Sequence, residues 1–238
     1  MAEIDKNSIW EKHCTFSPSL ICLDMLHLEE QIDELKENGI KMLHIDILDG
    51  HFSPSMPLGF EIVRQLKKVT NMILECHVMV DSPIYFIDEL IDIGVDQIIF
   101  HVETTLHIDG LLNHIHASGI RAGLALAPST SLSILDYELE KCDAVLLMQI
   151  NPGYASDRNE GKVSFADRKI RELRKMINQR KLNTKIIVDG RVSLKDIEVY
   201  GKDIVDIFVC GTTCIDRLDI RKSLAKMMVI RERIIGWE

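Results

Sequence analysis

One apolar stretch of the sequence carries side chains that could do chemistry. The segment KMLHIDILDGHFSP, residues 41–54, begins like a buried strand, yet it contains His44 and Asp46. Side chains two residues apart in a strand point to the same face, so this imidazole and this carboxylate project together. Burying an unpaired carboxylate beside an imidazole costs free energy, which indicates that the pair holds a partner.

Short apolar segments alternate with helix-like segments along the chain, and these elements must position the polar side chains. Near-continuous apolar strands that alternate with helices favour a parallel sheet covered by helices. The predicted strands are 15–23, 41–48, 72–80, 97–103, 121–127, 144–150, 185–190 and 207–212. The predicted helices are about 24–39, 59–69, 83–93, 107–118, 131–139, 164–179, 193–199 and 219–235.

Eight βα units in 238 residues predict one α/β domain, a single (β/α)8 TIM barrel over residues 15–238. Residues 1–14 precede the first strand and are predicted to be an N-terminal extension. An open, doubly wound sheet is the alternative architecture. It is disfavoured because no G-x-G-x-x-G motif follows the first strand.

The composition narrows the classes of partner and compartment. The formal net charge of −9 disfavours nucleic acid and an anionic membrane surface as partners. A small anionic substrate is still possible, because helix N-termini bind phosphate locally. The six cysteines form no C-x-x-C pair, the first residues do not resemble a signal peptide, and no apolar run approaches the ~20 residues of a membrane span. We therefore expect a cytoplasmic protein with reduced thiols.

Four residues of metal-binding type fall on the strands that would form the barrel mouth. His44 and Asp46 belong to the second predicted strand, His77 to the third and Asp189 to the seventh. Two imidazoles and two carboxylates suit Zn²⁺, Fe²⁺, Mn²⁺ or Co²⁺, and a divalent ion would offset the cost of burying the carboxylates. A divalent metal ion held by these four residues is the prediction; separately satisfied polar residues are the alternative.

Such a site indicates a class of reaction. A metal polarises a carbonyl and stabilises an enediolate, and carboxylates on two sides of a substrate can remove a proton from one face and deliver one to the other. Asp46 and Asp189 come from strands expected to face each other across the barrel mouth. This arrangement suits an epimerase with two acid/base groups better than a hydrolase.

Six motifs in chain order resemble one known family. SPSLICLD, HIDILDGHFSP, CHVMV, NPGY, VDG and CGTT fall at predicted strands 1, 2, 3, 6, 7 and 8. Over about residues 15–225 the chain is similar to the ribulose-phosphate 3-epimerase family, and it looks nearer to the allulose-6-phosphate 3-epimerase branch. The resemblance implies a TIM barrel, one divalent metal per site, a homo-oligomer, and proton transfer at C3 of a ketose phosphate.

The resemblance also implies roles for individual residues. Asp46 and Asp189 match the two acid/base groups, and with His44 and His77 they match the metal ligands. A third family methionine corresponds to Leu48. The residues expected to bind substrate are Ser19, His77, Met79, Met148, Asn151, Gly153, Gly190, Arg191, Gly211 and Thr212.

The sequence departs from the family pattern in its phosphate loops. The loop NPGYASDRNEGK after strand 6 lacks the usual paired glycines, and Gly190–Arg191 replaces Gly–Gly after strand 7. Glycines there let backbone amides approach phosphate oxygens. Arg191 is either a replacement contact to phosphate or a solvent-facing side chain. His101 and Glu103 end strand 4, either near the substrate or as satisfied interior groups.

Two substrate pairs lead the functional hypotheses. They are D-ribulose 5-phosphate with D-xylulose 5-phosphate, and D-allulose 6-phosphate with D-fructose 6-phosphate. The alternatives are an isomerase or lyase that acts on another sugar phosphate through the same metal site, and a non-catalytic barrel that binds a sugar phosphate.

Overall fold

The computed structural model describes Lys6, Trp10 and residues 14–56, 58–153, 157 and 159–236. Eight parallel strands in these ranges form one sheet in the order β1-β8-β7-β6-β5-β4-β3-β2, and a parallel bridge between Ser19 and His44 joins β1 to β2. The predicted (β/α)8 barrel is therefore confirmed. The strands are β1 (Thr15–Pro18), β2 (Met42–Leu48), β3 (Ile73–Met79), β4 (Gln97–His101), β5 (Arg121–Leu126), β6 (Ala144–Met148), β7 (Lys185–Asp189) and β8 (Ile207–Cys210).

Helices follow seven of the eight strands within the described residues. None of them is long and apolar enough to cross a bilayer. They are α1 (Leu28–Glu37), α2 (Phe60–Val69), α3 (Pro83–Ile93), α4 (Ile108–Ala117), α5 (Ala166–Arg180), α6 (Leu194–Tyr200) and α7 (Ile220–Ile235).

Two predicted elements differ from the structure. The strand predicted over 15–23 ends at Pro18, and Leu20–Cys22 and Met25–His27 form short 3₁₀ turns. The α-helix predicted near 131–139 is instead a pair of 3₁₀ turns, Leu132–Leu135 and Leu139–Lys141. Ser131 favours such a turn, because its side-chain oxygen accepts the backbone N–H of Ser133 and competes with helical pairing.

The apolar core has two layers. One layer packs between the outer face of the sheet and the helices. The other fills the barrel and includes Met42, Ile73, Ile99 and Leu146, all fully buried. Trp10, from the predicted extension, belongs to this inner cluster, and its ring lies 4.7 Å from the Arg121 guanidinium carbon. Apolar side chains thus fill the barrel interior beneath the mouth.

Three aspartates brace the amino ends of the strands in the same way. Asp96, Asp143 and Asp206 directly precede β4, β6 and β8. Each accepts a hydrogen bond from a backbone N–H of the neighbouring odd-numbered strand, and the donors are Leu74, Ala122 and Ile186 at 2.9, 2.8 and 2.8 Å. This repeated contact fixes the register of three strand pairs at the end opposite the mouth.

Replacing Asp206 tests this brace. Asp206 is 1% exposed, pairs with Arg174 and lies 3.5 Å from the Lys185 ammonium. We expect Asp206→Ala to lower the free energy of unfolding by about 2–4 kcal/mol, because it leaves half-buried cations and one strand N–H without this acceptor. Urea denaturation measures the loss.

The control for this prediction is Asp203→Ala, which removes an exposed aspartate of the same turn. Its effect should stay within about 0.5 kcal/mol. A loss of stability no larger for Asp206→Ala than for the control would contradict the proposed brace.

Candidate active site

Four polar side chains converge at the carboxyl end of the barrel. His44 and Asp46 lie on β2, His77 on β3 and Asp189 at the end of β7. One ligand-type atom from each lies within 4.8 Å of the other three. The rings of His44 and His77 are fully buried, and the Asp46 and Asp189 side chains are 7% and 15% exposed. The structure therefore brings together the whole predicted metal-ligand set.

The distances within this cluster fit a single cation. His44 Nε2 lies 3.2 Å from Asp46 Oδ1 and 3.8 Å from Asp189 Oδ2. His77 Nδ1 lies 3.5 Å from Asp46 Oδ1 and 3.6 Å from Asp189 Oδ2. Metal–ligand bonds of ~2.0–2.2 Å in a tetrahedron give ligand–ligand separations of roughly 3.3–3.6 Å. The four histidine–carboxylate distances are thus close to those between the ligands of one divalent ion.

One atom of the cluster shows that the protein alone does not satisfy it. His77 Nδ1 is buried and makes no hydrogen bond to any described residue. Buried ring nitrogens normally have a partner, so an unpaired one that faces two carboxylates fits a cation ligand. Imidazole and carboxylate donors suit Zn²⁺, Fe²⁺, Mn²⁺ or Co²⁺. The residues present therefore fit a divalent metal.

Each cluster residue uses its remaining polar atom to hold its orientation. Asp46 Oδ2 accepts a hydrogen bond from the Ser19 hydroxyl at 2.8 Å. Asp189 Oδ1 accepts the backbone N–H of Gly190 at 2.6 Å. His44 Nδ1 lies 2.7 Å from the Glu75 carboxylate, which places the ring in the carboxylate–histidine arrangement common beside metals.

His77 is held through a second histidine. Its Nε2 lies 3.0 Å from His101 Nε2, and His101 Nδ1 lies 2.9 Å from Glu103 Oε2. Burial lowers the pKa of His101 to about 4, so this ring is neutral at pH 7. Burial opposes the ionisation of Glu103, but the hydrogen bonds from His101, Thr130 and Ala127 outweigh it and lower the pKa of Glu103 to about 2.

Electrostatics in the cluster favours charged groups despite their depth. Burial opposes protonation of the His44 imidazole, but Asp46, Glu75 and Asp189 outweigh it and raise the pKa of His44 well above its ordinary value. Burial likewise opposes ionisation of Asp46, yet His44 and His77 hold the pKa of Asp46 below its usual range. A cation that binds here must therefore displace protons from the histidines.

A cleft opens from the cluster to solvent. It measures about 690 Å³ including the solvent at its mouth, and Asp46 and Asp189 form part of its wall. Of the ten residues predicted to bind substrate, eight line it, whereas His77 lies beneath it and Asn151 is not part of its wall. The eight are Ser19, Met79, Met148, Gly153, Gly190, Arg191, Gly211 and Thr212.

Asn151 has another position. Its backbone N–H donates to Glu160 Oε1 at 2.7 Å, and the residue is exposed. The guanidinium of Arg191 donates to the backbone carbonyls of Glu160 and Asp157. Arg191 thus holds the segment after β6 against the cleft. Residues 154–156 and 158 of the loop that departs from the family pattern lie outside the described residues.

Two glycines of the cleft have no room for a side chain. Gly153 has φ +79°, and a Cβ there would lie 1.6 Å from Ser53 Oγ. Gly190 has φ +92°, and a Cβ would lie 2.7 Å from an Ile150 carbon. Glycine is the residue that adopts this left-handed backbone without strain. Both turns therefore pack directly against the cleft wall.

Sequence reasoning did not single out every residue that supports the cluster. Glu75 was not predicted, although it precedes His77 by two residues in a buried strand and therefore lies on the same strand face as His77. Cys22, Ser55 and Thr213 also line the cleft without having been predicted. For these three, no periodic signal in the sequence points to the site.

Comparison with known proteins identifies the family. The model of the family described as "Ribulose-phosphate 3 epimerase family" matches residues 15–215. The chain belongs to this family. It is accordingly an epimerase, an enzyme of the isomerase class.

Curated relatives in this family match over most of the chain. The ribulose-phosphate 3-epimerase of Buchnera aphidicola subsp. Schizaphis graminum is 34% identical over 88% of this chain and 91% of the relative. The enzyme of the same name from Methanocaldococcus jannaschii is 30% identical over 88% of this chain and 87% of the relative. The ribulose-phosphate 3-epimerase of Escherichia coli K12 is 30% identical over 91% of this chain and 95% of the relative.

Solved structures with lower identity support the fold alone. 3-Keto-L-gulonate-6-phosphate decarboxylase from Vibrio cholerae has a TM-score of 0.67 at 11% identity, over 95% of this chain and 100% of that one. 3-Hexulose-6-phosphate synthase from Salmonella typhimurium has a TM-score of 0.65 at 14% identity, over 92% of this chain and 99% of that one. The barrel of this epimerase is therefore shared by other enzymes.

The raised histidine pKa values make a prediction about metal binding. Because neighbouring carboxylates raise the pKa of His44 and of His77 above their ordinary values, against the effect of burial, both rings hold protons that a metal must displace. We expect Zn²⁺ binding to release protons at pH 7, and its affinity to keep rising with pH above ~6.5, the ordinary pKa of histidine, because both pKa values are raised. Titration calorimetry in two buffers of different ionisation enthalpy measures the release. Affinity that is flat with pH would contradict this charge state.

Removing one ligand tests membership of the cluster. We expect His77→Ala to reduce bound metal well below one ion per chain, because the cluster loses one of four donors. Metal analysis after dialysis measures the content. The control is His116→Ala, which removes a half-exposed histidine paired with Asp143 far from the cluster. Equal metal content in both variants would remove His77 from the ligand set.

Proposed function

We propose that this epimerase inverts C3 of a D-ketulose phosphate, with Asp46 and Asp189 as the acid/base pair. The observation that carries the proposal is that two carboxylates from separate strands flank one cleft and share a cluster with two buried histidines. The curated relatives named ribulose-phosphate 3-epimerase make D-ribulose 5-phosphate and D-xylulose 5-phosphate the favoured pair.

The proton inventory follows from the two carboxyl groups. One of them enters the cycle ionised and takes the proton from C3, and the other enters protonated and delivers a proton to the opposite face. After one turnover the two have exchanged states, which is the state required for the reverse reaction. Inversion therefore needs a group on each side of the carbon, and Asp46 and Asp189 come from strands that β1 and β8 separate.

The metal is part of the proposal. His44, Asp46, His77 and Asp189 would hold one divalent ion per subunit. When bound, such an ion supplies a Lewis acid that favours negative charge on the ketose oxygen next to C3. Ser19 and the Gly190 N–H fix the second oxygens of the two carboxylates, so both acid/base groups stay aimed at the cleft.

The phosphate end is assigned to the turns after β7 and β8. Gly190, Gly211 and Thr212 line the cleft there, and their backbone can approach an anion closely. Arg191 has φ +52° and donates to carbonyls of Asp157 and Glu160. We therefore assign Arg191 to positioning the adjacent segment over the phosphate end. Met79, Met148 and Leu48 form the apolar wall of the cleft.

Solvent exchange tests the reaction. The metal-loaded enzyme is incubated in D₂O with each ketulose phosphate of the two pairs, and NMR follows C3. We expect deuterium at C3 of both epimers of the true pair, because the delivered proton comes from a carboxyl group that exchanges with solvent. Absence of deuterium for every substrate, with metal supplied, would reject the proposed function. Exchange with D-allulose 6-phosphate alone would move the assignment to the hexulose pair.

Asp189→Asn tests the acid/base role. We expect kcat to fall by about 10²–10⁴-fold, because an amide of the same shape transfers no proton. The folded state should persist, which thermal unfolding checks. Asp203→Asn, which removes the same charge from an exposed turn, is the control and should keep kcat. Near-normal turnover of the Asp189 variant would remove this residue from the mechanism.

A further inference from the structure

We propose that His101 and Glu103 are positioning residues that hold His77 with its Nδ1 directed into the metal cluster. The inference rests on the proposed metal site and adds two residues beyond its ligands. It starts from a contact between two rings whose direction is set by the groups on either side of them. His77 Nε2 and His101 Nε2 are 3.0 Å apart, and both rings are fully buried.

The hydrogen-bond chain fixes the tautomer of each ring. A neutral imidazole carries one N–H, and a nitrogen that binds a cation cannot carry it. His77 Nδ1 faces the cluster, so its proton lies on Nε2 and is donated to His101 Nε2. His101 then carries its own proton on Nδ1 and donates it to Glu103 Oε2, which lies 2.9 Å away. A carboxylate accepts only, so the chain ends there.

Glu103 is itself held in place. Its other oxygen, Oε1, accepts the backbone N–H of Ala127 at 2.8 Å and the Thr130 hydroxyl. The buried Lys169 ammonium donates to the carbonyls of Ala127 and Pro128 and so fixes the same segment. With Oε1 occupied, Oε2 points to His101. The loop after β5 therefore anchors the far end of the chain.

Ring packing restrains His101 as well. The His101 ring lies 5.1 Å from the His77 ring, with 28° between their planes, and 4.9 Å from the Phe52 ring. His44 has a direct carboxylate partner in Glu75, whereas the carboxylate behind His77 acts through an intervening ring. The two histidine ligands thus present different nitrogens, Nε2 for His44 and Nδ1 for His77, because their supports approach from different sides.

Two substitutions at His101 separate its two hydrogen bonds. Glutamine places its amide oxygen near the position of Nε2, so His101→Gln keeps an acceptor for His77. Asparagine is shorter and reaches only the position of Nδ1, so His101→Asn keeps the contact to Glu103 and loses the acceptor. Both variants insert a neutral amide, so a general cost of changing the core affects both. Thermal unfolding confirms that each is folded.

The readout is Zn²⁺ affinity of the whole chain, measured by competition with a chromophoric chelator. We expect Kd to rise about 10–100-fold for His101→Asn, the usual cost of losing a partner behind a metal ligand, and to stay within about threefold for His101→Gln. The ¹⁵N shifts of His77 in the Zn²⁺ form should show a metal-bound Nδ1 and a protonated Nε2. Equal affinities in both variants, or a metal-bound Nε2, would overturn the proposal.

Thr130→Val is the matched control for the loop. It removes one donor to Glu103 Oε1 and leaves the Ala127 N–H and the His101 contact in place. Its Kd should stay within about threefold of the unchanged protein. A loss of Zn²⁺ affinity as large as that of His101→Asn would mean that loop packing sets the affinity. That result would overturn the proposed role of the hydrogen-bond chain from His77 to Glu103. Zn²⁺ binding is measured without substrate. The proposed positioning role can therefore be confirmed or rejected whatever the outcome of the C3 exchange assay.

Discussion

The structure depends on a balance of buried charge at the barrel mouth. Asp46 is 5% exposed and has two fully buried imidazoles beside it, and the carboxylate of Asp189 closes the group. At this depth an unbalanced charge costs several kcal/mol, so the two histidines and the two carboxylates offset one another's burial. Three separate strands must therefore end at the same point, and the closed parallel barrel is what brings β2, β3 and β7 to one edge.

This balance also explains why the surroundings are rigid. Each cluster side chain has two polar atoms, one in the cluster and one bound to the protein, and the partners are Ser19, Glu75, Gly190 and His101. A ring or carboxylate held at both ends cannot rotate, which is how a site keeps the short distances that proton transfer requires.

The sequence predicted the metal cluster well, because the two-residue periodicity of a strand is a local property. Spacing alone predicted that His44 and Asp46 share one strand face. The pattern of apolar residues likewise predicted the alternation of strands and helices. Glu75 obeys the same spacing relative to His77, yet its contact with His44 depends on the β2–β3 register, which pairs His44 with Glu75. The spacing of residues along one strand does not show how that strand aligns with its neighbour. The helix predicted near 131–139 failed for a related reason, since hydroxyl side chains that accept local N–H groups compete with helical bonds and leave no periodic trace.

The turns after β7 and β8, to which the proposed function assigns the phosphate, obey a different constraint from the metal cluster. An anion at the turns after β7 and β8, as proposed, would be held by backbone N–H groups, so many loop sequences would serve as long as the turns stay close. Gly190 is fixed by its lack of room for a Cβ, whereas Arg191, directly beside it, lines the cleft and donates to the carbonyls of Glu160 and Asp157 in the preceding loop. Since Asp189 accepts the N–H of Gly190, a change in this turn acts on a carboxylate of the proposed acid/base pair. A substitution in this turn therefore affects Asp189 by moving the backbone N–H whose hydrogen bond this carboxylate accepts.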